Sequence, residues 1–420
     1  MQTWLLHIGE RLPIDEGARC YRYGYLAREL ASRGHNVLRW APTFSHFDKK
    51  HRFQSDHRVE IASRYSIQFV HSTGYERNIS LKRAWVYQSL GRRIRTMMTH
   101  ESRPDLIVAA VPSPEWAAAA VDYGRANDVP VVLDVRDLWP DVFLNAVPRF
   151  ARRAGELAVQ PYRRLTQRIC RDADALVGVS QGYLDWALRQ ADRGRGSQDG
   201  VVPIGFEPEK VAPEILAEHR RQLHEQGIDL SSTTCFFSGS LERSYDLKTL
   251  LLAAERLRSR GYGQLQFVIC GDGSSRQALE QHARRLNLTN VFFLGWVDAA
   301  MLQVVTSISQ IGICAYAADA TQGLPNKPFE YMAGRLANVS SLRGELAELL
   351  ERHQCGVTYE AGSPDSLAKV LGQLLESPDR LDALRRRGYE TWKRHFHTQS
   401  IYPKFVSRLE LLASARQLAA

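Results

Sequence analysis

Long apolar runs are missing from this sequence. No stretch of about 18 consecutive apolar residues occurs, so no membrane-spanning helix is predicted. The first residues, MQTWLLHIGE, also lack the basic segment and long apolar core of a signal peptide. The content of 44% apolar and 24% charged residues is typical of a soluble globular protein, and we therefore expect a cytosolic location.

Cysteine is scarce, and its spacing fits neither a disulfide framework nor a metal site. The six cysteines include no CxxC pair, and the 13 histidines are scattered without a ligand pattern. No metal ion is therefore predicted. Three cysteines lie in apolar, strand-like runs and are predicted to be reduced core residues: Cys235, Cys270 and Cys314.

Positive charge is concentrated in the first half of the chain. Residues 1–200 include 30 basic and 22 acidic residues, a net charge of +8, whereas residues 201–420 carry a net charge of only +1. No nucleic-acid-binding motif accompanies this excess, so nucleic acid is not a predicted partner.

The segment 77–98 is a strongly basic part of that half. Six basic and no acidic residues lie between Arg77 and Arg95, with apolar residues interleaved among them. Two interpretations fit: an amphipathic helix lying on an anionic membrane surface, or a helix packed on the core with a solvated basic face. The interleaved apolar residues are Trp85, Tyr87, Leu90, Ile94 and Met97.

The length of 420 residues exceeds what one hydrophobic core usually supports, and two α/β halves are predicted. The first half opens with a predicted strand at residues 3–9, a helix at 18–34 and a strand at 35–40. Short apolar runs at 104–111, 129–135 and 173–180 indicate a parallel sheet that is buried on both faces. The run GRGSQDG (194–200) is predicted to be an exposed loop.

The second half repeats the alternation of strands and helices. Each predicted strand ends in a glycine or a polar turn, which is where ligands bind in doubly wound sheets. The predicted strands are 233–240, 265–273, 291–296, 310–317 and 336–341, and amphipathic helices follow from Pro364 to Leu418.

The segment GLPNKPFEYMAG (323–334) is predicted to be a loop that leads into a short helix. Asn326 can cap that helix, and the free amides at a helix start attract anions. Lys327 adds a full positive charge there, and Glu330 lies about one turn further on, where its carboxylate could accept hydrogen bonds from sugar hydroxyls. The spacing suits a sugar nucleotide, although an ordinary capped helix with a surface glutamate has the same pattern.

Three further glycine sites follow predicted strands of the second half. Gly239 offers close backbone approach to a sugar phosphate, and Gly271 opens a Gly-Asp-Gly turn that lacks the third glycine of a dinucleotide fingerprint. The amides of Gly295, Trp296 and Val297 could contact the edge of a base. For each site the alternative is a plain tight turn, and at Trp296 a turn with a packed side chain.

These segments together resemble glycosyltransferase family 4. The resemblance covers almost the whole chain and is carried by GHNV near residue 35, ICGDG near 270, FLGWV near 295 and LPNKPFEYMAG near 330. It implies the GT-B fold, in which two Rossmann-like doubly wound domains face each other across a cleft. The implied divisions are an acceptor domain over 1–205, a donor domain over 206–395 and a terminal helix over 396–420 that packs on the acceptor domain.

The resemblance also implies roles for the loop before the short helix. The family has two glutamates eight positions apart, the second of which holds the ribose hydroxyls. Glu330 matches the second position, and Gln322 stands at the first, where it can hydrogen-bond a sugar hydroxyl but carries no charge. The amides that would meet the diphosphate or the sugar belong to Gly323, Leu324, Asn326 and Lys327.

A cationic clamp of the family is missing. Many members have an arginine after the first glycine of the donor domain and a lysine about five residues later, whereas this chain has Ser240 and Tyr245. Lys327, Lys248 or Arg243 could supply the missing charge, and Lys327 is favoured because it lies at the helix start.

On the acceptor side, the resemblance places Gly17 in a glycine-rich loop after the first strand. Asp137 falls in the loop where many members have a catalytic-site histidine, with Arg136 as its neighbour. Either residue could act directly or could pair with other groups to support the loop. Two segments, DVRDLWP (134–140) and GSLERSYDL (239–247), resemble bacterial members that build O-antigen, capsule and other surface polysaccharides.

The chemistry implied by the family is retaining glycosyl transfer from a nucleotide-diphosphate sugar, expected to be a UDP-sugar. The expected acceptor is lipid-linked or a saccharide, and no metal or other cofactor is expected. Peripheral binding to the inner face of the membrane through residues 77–98 is consistent with such an acceptor. Two alternatives remain open: a sugar-nucleotide epimerase with the same fold, and a non-catalytic subunit that binds a partner enzyme or the membrane.

Overall fold

A computed structural model of the protein describes residues 1–16, 19–77, 80–320 and 322–419. The chain divides into two compact units. Unit 1 comprises Met1–Ile204 together with Ile401–Ala420, and unit 2 comprises Gly205–Ser400. Unit 1 is therefore formed from both ends of the chain.

Fourteen strands occur in the described residues. They are β1 (Gln2–Leu6), β2 (Asn36–Pro42), β3 (His57–Ala62), β4 (Tyr65–Val70), β5 (Leu106–Val111), β6 (Val131–Val135), β7 (Ala175–Gly178), β8 (Gly200–Val201), β9 (Thr234–Ser238), β10 (Gln266–Cys270), β11 (Val291–Gly295), β12 (Ile311–Cys314), β13 (Ala337–Ser340) and β14 (Gly356–Thr358).

Helices follow most of the strands. They are α1 (Arg22–Ser32), α2 (Leu81–Met98), α3 (Pro114–Asn127), α4 (Arg152–Asp172), α5 (Gln181–Ala191), α6 (Pro213–Glu225), α7 (Leu247–Ser259), α8 (Arg276–Arg285), α9 (Ala299–Ile308), α10 (Lys327–Ala333), α11 (Glu345–Arg352), α12 (Pro364–Leu375), α13 (Pro378–His395) and α14 (Thr398–Ala419). Short 3₁₀ segments lie at Asp141–Ala146 and Arg149–Ala151.

The sheet of unit 1 has eight strands in the order β3-β4-β2-β1-β5-β6-β7-β8. Its pairs are parallel except β3 with β4, which is antiparallel. The predicted all-parallel sheet is therefore wrong at one edge. Alternate residues of β3 are exposed because it is the edge strand, and the period-2 pattern HRVEIA was the signal for it.

The core of unit 1 lies on both faces of this sheet. On one face, Trp4 packs edge to face against Trp40 with ring centroids 5.6 Å apart. On the other face, α1 and α14 cover Leu5, and Tyr402 of α14 stacks on Tyr25 of α1 at 5.5 Å. Residues near the end of the chain thus complete a core that begins with β1.

The sheet of unit 2 has six parallel strands in the order β11-β10-β9-β12-β13-β14. Apolar clusters lie on both of its faces, and the three cysteines predicted to be core residues are buried in them. The two α/β sheets match the predicted fold class, which is confirmed.

The loop predicted at 194–200 is exposed only in its first part. Asp199 is buried, accepts hydrogen bonds from the amides of Leu176 and Gly196, and pairs with Arg193. A buried carboxylate needs such partners, since it cannot be left without hydrogen bonds away from water. The end of this segment is therefore part of the structure of unit 1, contrary to the prediction.

Candidate active site

Three predicted glycine sites lie side by side in unit 2. Strands β9, β10 and β11 are neighbours, and their carboxyl ends bring Gly239, Gly271 and Gly295 to one edge of the sheet. Backbone hydrogen bonds join the loops, because the amide of Gly239 donates to Cys270 (2.9 Å) and that of Gly271 donates to Gly295 (2.6 Å). Main-chain hydrogen bonds therefore hold this edge of the sheet together.

Close packing requires glycine at position 271. A Cβ atom there would lie 1.8 Å from the carbonyl oxygen of Gly239, and the φ of Gly271 is +136°. The turn after β10 thus needs its glycine for the approach of the neighbouring loop. That requirement accounts for the Gly-Asp-Gly pattern without a dinucleotide site.

Trp296 is 78% exposed, directly after the carboxyl end of β11. The alternative of a packed tryptophan at this turn is therefore wrong. Val297 is half-buried, and a Cβ on Gly295 would lie 2.7 Å from a guanidinium nitrogen of Arg276. Arg276 is itself paired with Asp272. An open aromatic face and a turn with φ of +72° thus lie at this end of the edge.

The predicted short helix is α10, and it begins at Lys327 with Pro328 in its first turn. The cap prediction is wrong in detail, because Asn326 precedes the helix but its side chain makes no capping hydrogen bond and is exposed. Its backbone carbonyl instead accepts from the amides of Phe329 and Glu330.

Tyr331 fixes α10 against the sheet. Its hydroxyl accepts from the amide of Ser238 at the end of β9 (3.0 Å) and donates to the carbonyl of Ile313 in β12 (3.4 Å). Gly312 makes room for its ring, because a Cβ there would come within 2.4 Å. Glu330, the preceding residue, is half-buried, so its carboxylate is carried on a firmly positioned helix.

The ammonium of Lys327 lies at the end of β9. Its Nζ donates to the hydroxyl of Tyr245 at 2.5 Å and lies 3.9 Å from the centroid of that ring. The other two candidates for the missing charge, Lys248 and Arg243, are exposed. Lys327 is thus the cation that the fold brings to Gly239, where a Cβ would lie 2.4 Å from Nζ.

The loop before α10 is half-buried at Gln322, Gly323 and Leu324. Among the described residues, the Oε1 atom of Gln322 has no hydrogen-bond partner although it is buried. A buried amide oxygen without a partner carries a desolvation cost, which a ligand donor could remove.

The corresponding edge of unit 1 is filled by charged side chains. Arg22, the first residue of α1, makes a bidentate ion pair with Asp134 of β6, with both contacts at 2.8 Å and both side chains fully buried. The same guanidinium donates to the carbonyls of Val202 and Pro203. Burial of this pair is tolerated because every charged atom has a partner.

A second buried network lies beside the first. The carboxylate of Glu10 accepts hydrogen bonds from the guanidinium groups of Arg39 and Arg136, each at 2.8 Å. Arg136 also donates to Nε2 of His7 at 3.0 Å. Burial and the three neighbouring arginines lower the pKa of His7 well below its ordinary value. Because arginine can only donate, the neutral imidazole carries its proton on Nδ1.

Arg136 and Asp137 do not form a pair with each other. Arg136 contacts Glu10 and His7, whereas a carboxylate oxygen of Asp137 accepts from the amide of Leu138 at 2.9 Å. Burial raises the pKa of Asp137. Both residues lie directly after β6, so they share the carboxyl edge of the sheet with His7, which follows β1. Gly17, the predicted acceptor-loop residue, lies outside the described residues.

The apolar side of segment 77–98 is used inside unit 1. Tyr87, Leu90 and Ile94 of α2 are buried in the core, and Arg93 and Arg95 pair with Asp56 and Asp122 of unit 1. This contradicts a helix that lies along a membrane with that face, and it supports the core-packed alternative. Leu81 and Trp85, near the start of α2, remain exposed at 91% and 57%.

Sequence reasoning missed His7, Glu10 and Arg22 in unit 1. A polar residue directly after a buried strand was the available signal for His7, as for Asp137. Nothing local marks Arg22 or Glu10, since their partners are distant in sequence.

No helix in the described residues is long and apolar enough to cross a membrane. No three histidine, cysteine, aspartate or glutamate side chains in this part of the chain are grouped so that they could hold a metal ion.

Known proteins resemble both units. The family model described as Glycosyltransferase Family 4 matches residues 23–196, and the model described as Glycosyl transferases group 1 matches residues 219–391. A 2-deoxystreptamine N-acetyl-D-glucosaminyltransferase from Niallia circulans is 22% identical over 186 residues. That match spans 42% of this chain and 45% of the relative, which is less than half of each.

Solved structures match over nearly the full length. Sucrose-phosphate synthase from Thermosynechococcus elongatus has a TM-score of 0.72 at 15% identity and covers 99% of both chains. HepE from Anabaena, in complex with UDP and glucose, has a TM-score of 0.66 at 15% identity and covers 98% of this chain and 99% of its own. The fold is GT-B, and since the two family models match unit 1 and unit 2 in turn, the chain is a glycosyltransferase that belongs to glycosyltransferase family 4.

Proposed function

We propose that the protein transfers a sugar from a UDP-sugar, with retention of configuration, to a lipid-linked or saccharide acceptor in bacterial surface-polysaccharide synthesis. The observation that carries the proposal is Glu330, which is half-buried on α10, the helix whose first residue, Lys327, places its ammonium at the end of β9. The UDP and glucose bound by HepE and the aminosugar transferred by the Niallia circulans relative support this substrate class.

In unit 2, Glu330 would accept hydrogen bonds from the two ribose hydroxyls. Gly295, Trp296 and Val297 would contact the base, with the exposed indole as a stacking surface. The main-chain edge at Gly239 and Gly271, together with the loop Gly323, Leu324 and Asn326, would meet the phosphates and the sugar. Gln322 would hydrogen-bond a sugar hydroxyl through its buried amide oxygen.

The reaction needs stabilisation of charge on the leaving diphosphate. As the sugar–phosphate bond breaks, an oxocarbenium-like sugar forms, and the acceptor hydroxyl attacks from the same face while its proton passes to the leaving phosphate. Lys327 and the amides of the loop Gly323, Leu324 and Asn326 would provide positive potential where phosphate charge develops. Neither a protein nucleophile nor a bound metal ion takes part in this scheme.

In unit 1, Arg136 and Asp137 would bind the acceptor at the carboxyl edge of the sheet. The guanidinium of Arg136 is paired with Glu10 at 2.8 Å, and its side chain is 17% exposed. The raised pKa of Asp137 makes its carboxylate a better hydrogen-bond acceptor for a sugar hydroxyl than an ordinary surface aspartate.

Calorimetry of UDP binding to Glu330→Gln tests the donor assignment. Loss of a charged hydrogen bond predicts about tenfold weaker UDP binding. Glu348→Gln, an exposed glutamate on α11 of the same unit, serves as the matched control and should bind UDP normally. Unchanged affinity in Glu330→Gln would reject the ribose role.

Two assays separate the alternatives. Conversion of a UDP-sugar into its epimer without an acceptor would favour the epimerase, and absence of any nucleotide binding would favour the non-catalytic subunit. A panel of UDP- and GDP-sugars with a lipid-diphosphate sugar acceptor should instead show transfer. The panel also identifies the sugar, because pocket shape discriminates epimers.

Membrane binding that accompanies this activity would use the start of α2 and not the face that carries Tyr87, Leu90 and Ile94, which is buried. Asp122 of α3 pairs with Arg95 of α2 and with Arg168 of α4, so these helices lie beside α3. Tyr162 of α4 interacts with Gln88 of α2, nearer the start of both helices. The two helices therefore begin at the same end of unit 1.

We call this end the helix tip and define it by its exposed apolar and basic residues. The apolar ones are 57 to 92% exposed, and lipid headgroups of negative charge would complement the basic ones. The tip consists of Leu81, Lys82, Trp85, Phe150, Arg152, Arg153 and Leu157.

Sedimentation with vesicles containing phosphatidylglycerol tests the helix tip. The double substitution Phe150→Ser and Leu157→Ser should remove most of the bound fraction at low salt, because two exposed apolar side chains no longer enter the interface. Leu411→Ser, an exposed leucine on α14, should bind as the unchanged protein does. Equal sedimentation of all three proteins would exclude the helix tip as a membrane-binding surface.

A further inference from the structure

Tyr245 and Lys327 form a contact that sequence order does not suggest. They are 82 positions apart, yet the ammonium donates to the phenol oxygen at 2.5 Å and lies 3.9 Å from the ring centroid. The ring of Phe237 in β9 lies 5.3 Å from the same ammonium. A hydroxyl and two aromatic faces thus hold one cation, a combination that favours a single position of the flexible side chain.

The tyrosine itself is fixed by its surroundings. Its ring packs edge to face on Phe237 with centroids 5.3 Å apart, and its backbone forms an antiparallel bridge with Tyr316, just beyond β12. The next residue, Asp246, donates its amide to Ala315 and caps α7 through Thr249. Tyr245 is therefore a rigid support that joins the ends of β9 and β12.

The supported ammonium lies against the main chain of Gly239. A Cβ at this glycine would come 2.4 Å from Nζ and 2.6 Å from Cε of Lys327, so only glycine leaves the space that the lysine occupies. The position is next to Ser240, where the family resemblance leads one to expect an arginine, and Tyr245 stands where it leads one to expect a lysine.

The one ammonium at this place is that of Lys327, beside a tyrosine that stands where the resemblance leads one to expect a lysine. A lysine at 245 would bring a second ammonium next to that of Lys327, and two like charges a few ångströms apart repel each other. A tyrosine there adds no charge and offers an oxygen to the lysine. The tyrosine and the lysine are complementary replacements for the missing clamp.

We propose that Tyr245 is a positioning residue, which holds the ammonium of Lys327 over Gly239 so that this single lysine binds the diphosphate of the nucleotide donor. The proposal rests on the proposed donor site in unit 2. A free lysine side chain samples many rotamers, so holding it in place beforehand lowers the entropic cost of binding the phosphate.

UDP and UMP distinguish the phosphate that the lysine contacts. Calorimetry should show that Lys327→Met binds UDP at least tenfold more weakly and UMP almost unchanged, because only the β-phosphate has lost its cation. Tyr245→Phe, which keeps the ring and removes the oxygen, should weaken UDP binding about threefold to fivefold with UMP unchanged.

The double variant Tyr245→Phe with Lys327→Met separates positioning from direct contact. If the tyrosine acts through the lysine, the phenylalanine has no further effect once the lysine is absent. A persisting effect would show that the hydroxyl contacts the ligand itself or supports the fold, and would overturn the proposal. Unchanged UDP affinity in Tyr245→Phe would overturn it as well.

A charge-relocation variant gives a positive test. Tyr245→Lys combined with Lys327→Met returns the cation to the position that the resemblance leads one to expect, and we expect it to recover most of the UDP affinity lost in Lys327→Met. Absence of recovery would contradict the proposal that one ammonium at this place is enough to bind the diphosphate. Failure of the donor site is distinguishable, because the unchanged protein would then bind neither UDP nor UMP.

Discussion

The carboxyl edges of the two sheets are held together by different kinds of interaction. In unit 1 the edge is occupied by arginines and carboxylates that bind each other, such as Arg22 with Asp134 and Arg136 with Glu10. In unit 2 the edge consists of glycine turns joined by backbone hydrogen bonds, with one ammonium held on a tyrosine. The same position in two α/β sheets is therefore held by buried ion pairs in one unit and by backbone hydrogen bonds in the other.

The two sheet edges differ in the partners of their polar groups. A buried ion pair with complete partners contributes little when it is intact but costs much when one partner is removed. The glycine turns of unit 2 are instead held by backbone hydrogen bonds, which depend little on any one side chain. We therefore expect substitutions at the unit 1 edge to change stability, and those at the unit 2 edge to change binding.

Asp134→Asn should have the largest effect on stability. It leaves the Arg22 guanidinium buried without its counter-charge, and we expect the free energy of unfolding of unit 1 to fall by about 3 to 5 kcal/mol. Six of the eight tryptophans lie in unit 1, so urea unfolding followed by tryptophan fluorescence reports mainly on this unit.

An exposed ion pair of the same unit is the control for that measurement. Glu29→Gln breaks the contact of Glu29 with Arg33 on α1, and its effect should be no more than about 0.5 kcal/mol. Similar losses of stability for the two variants would show that the buried ion pair at the unit 1 edge is no more sensitive to substitution than an exposed one.

Gly239→Ala should show a smaller loss of stability and a clear loss of binding. The φ of +149° strains an alanine by about 1 to 2 kcal/mol. The new Cβ also displaces the Lys327 ammonium, so UDP should bind several times more weakly. Calorimetric melting and UDP titration measure the two effects separately.

Gly261→Ala separates strain from displacement. Gly261 has a φ of +92° and no atom within 4 Å of the Cβ position, in an exposed turn of the same unit. It should lose similar stability and keep full UDP affinity. Weaker UDP binding in Gly261→Ala as well would show that the loss in Gly239→Ala comes from backbone strain and not from displacement of the Lys327 ammonium.

Strand positions and their terminal glycines could be predicted from the sequence, because buried strands are short apolar runs and turns require special backbone angles. Gly239, Gly271 and Gly295 were found in this way, and the sheet order brings them together. The Arg22 pair with Asp134 could not be predicted, since 112 positions separate the residues and neither has a local pattern.

Helix α2 shows a second limit of sequence reasoning. The spacing of Tyr87, Leu90 and Ile94 predicts an apolar face, but periodicity does not say whether protein or lipid covers it. The structure buries that face in the core and leaves Leu81 and Trp85 exposed near the start of the helix. Contact of Lys327 with Tyr245 was likewise hidden, because it depends on the order of β9 and β12 in the sheet.

The composition of unit 1 from both chain ends has a consequence for biosynthesis. Tyr402, Phe405 and Leu409 pack on the face of the sheet that Leu5 helps to form, yet a ribosome completes these residues only after all of unit 2. At synthesis rates of about 5 to 20 residues per second, the uncovered face would wait on the order of ten seconds or more for its last helix. Unit 2, which is continuous in sequence, can finish folding first although unit 1 begins the chain.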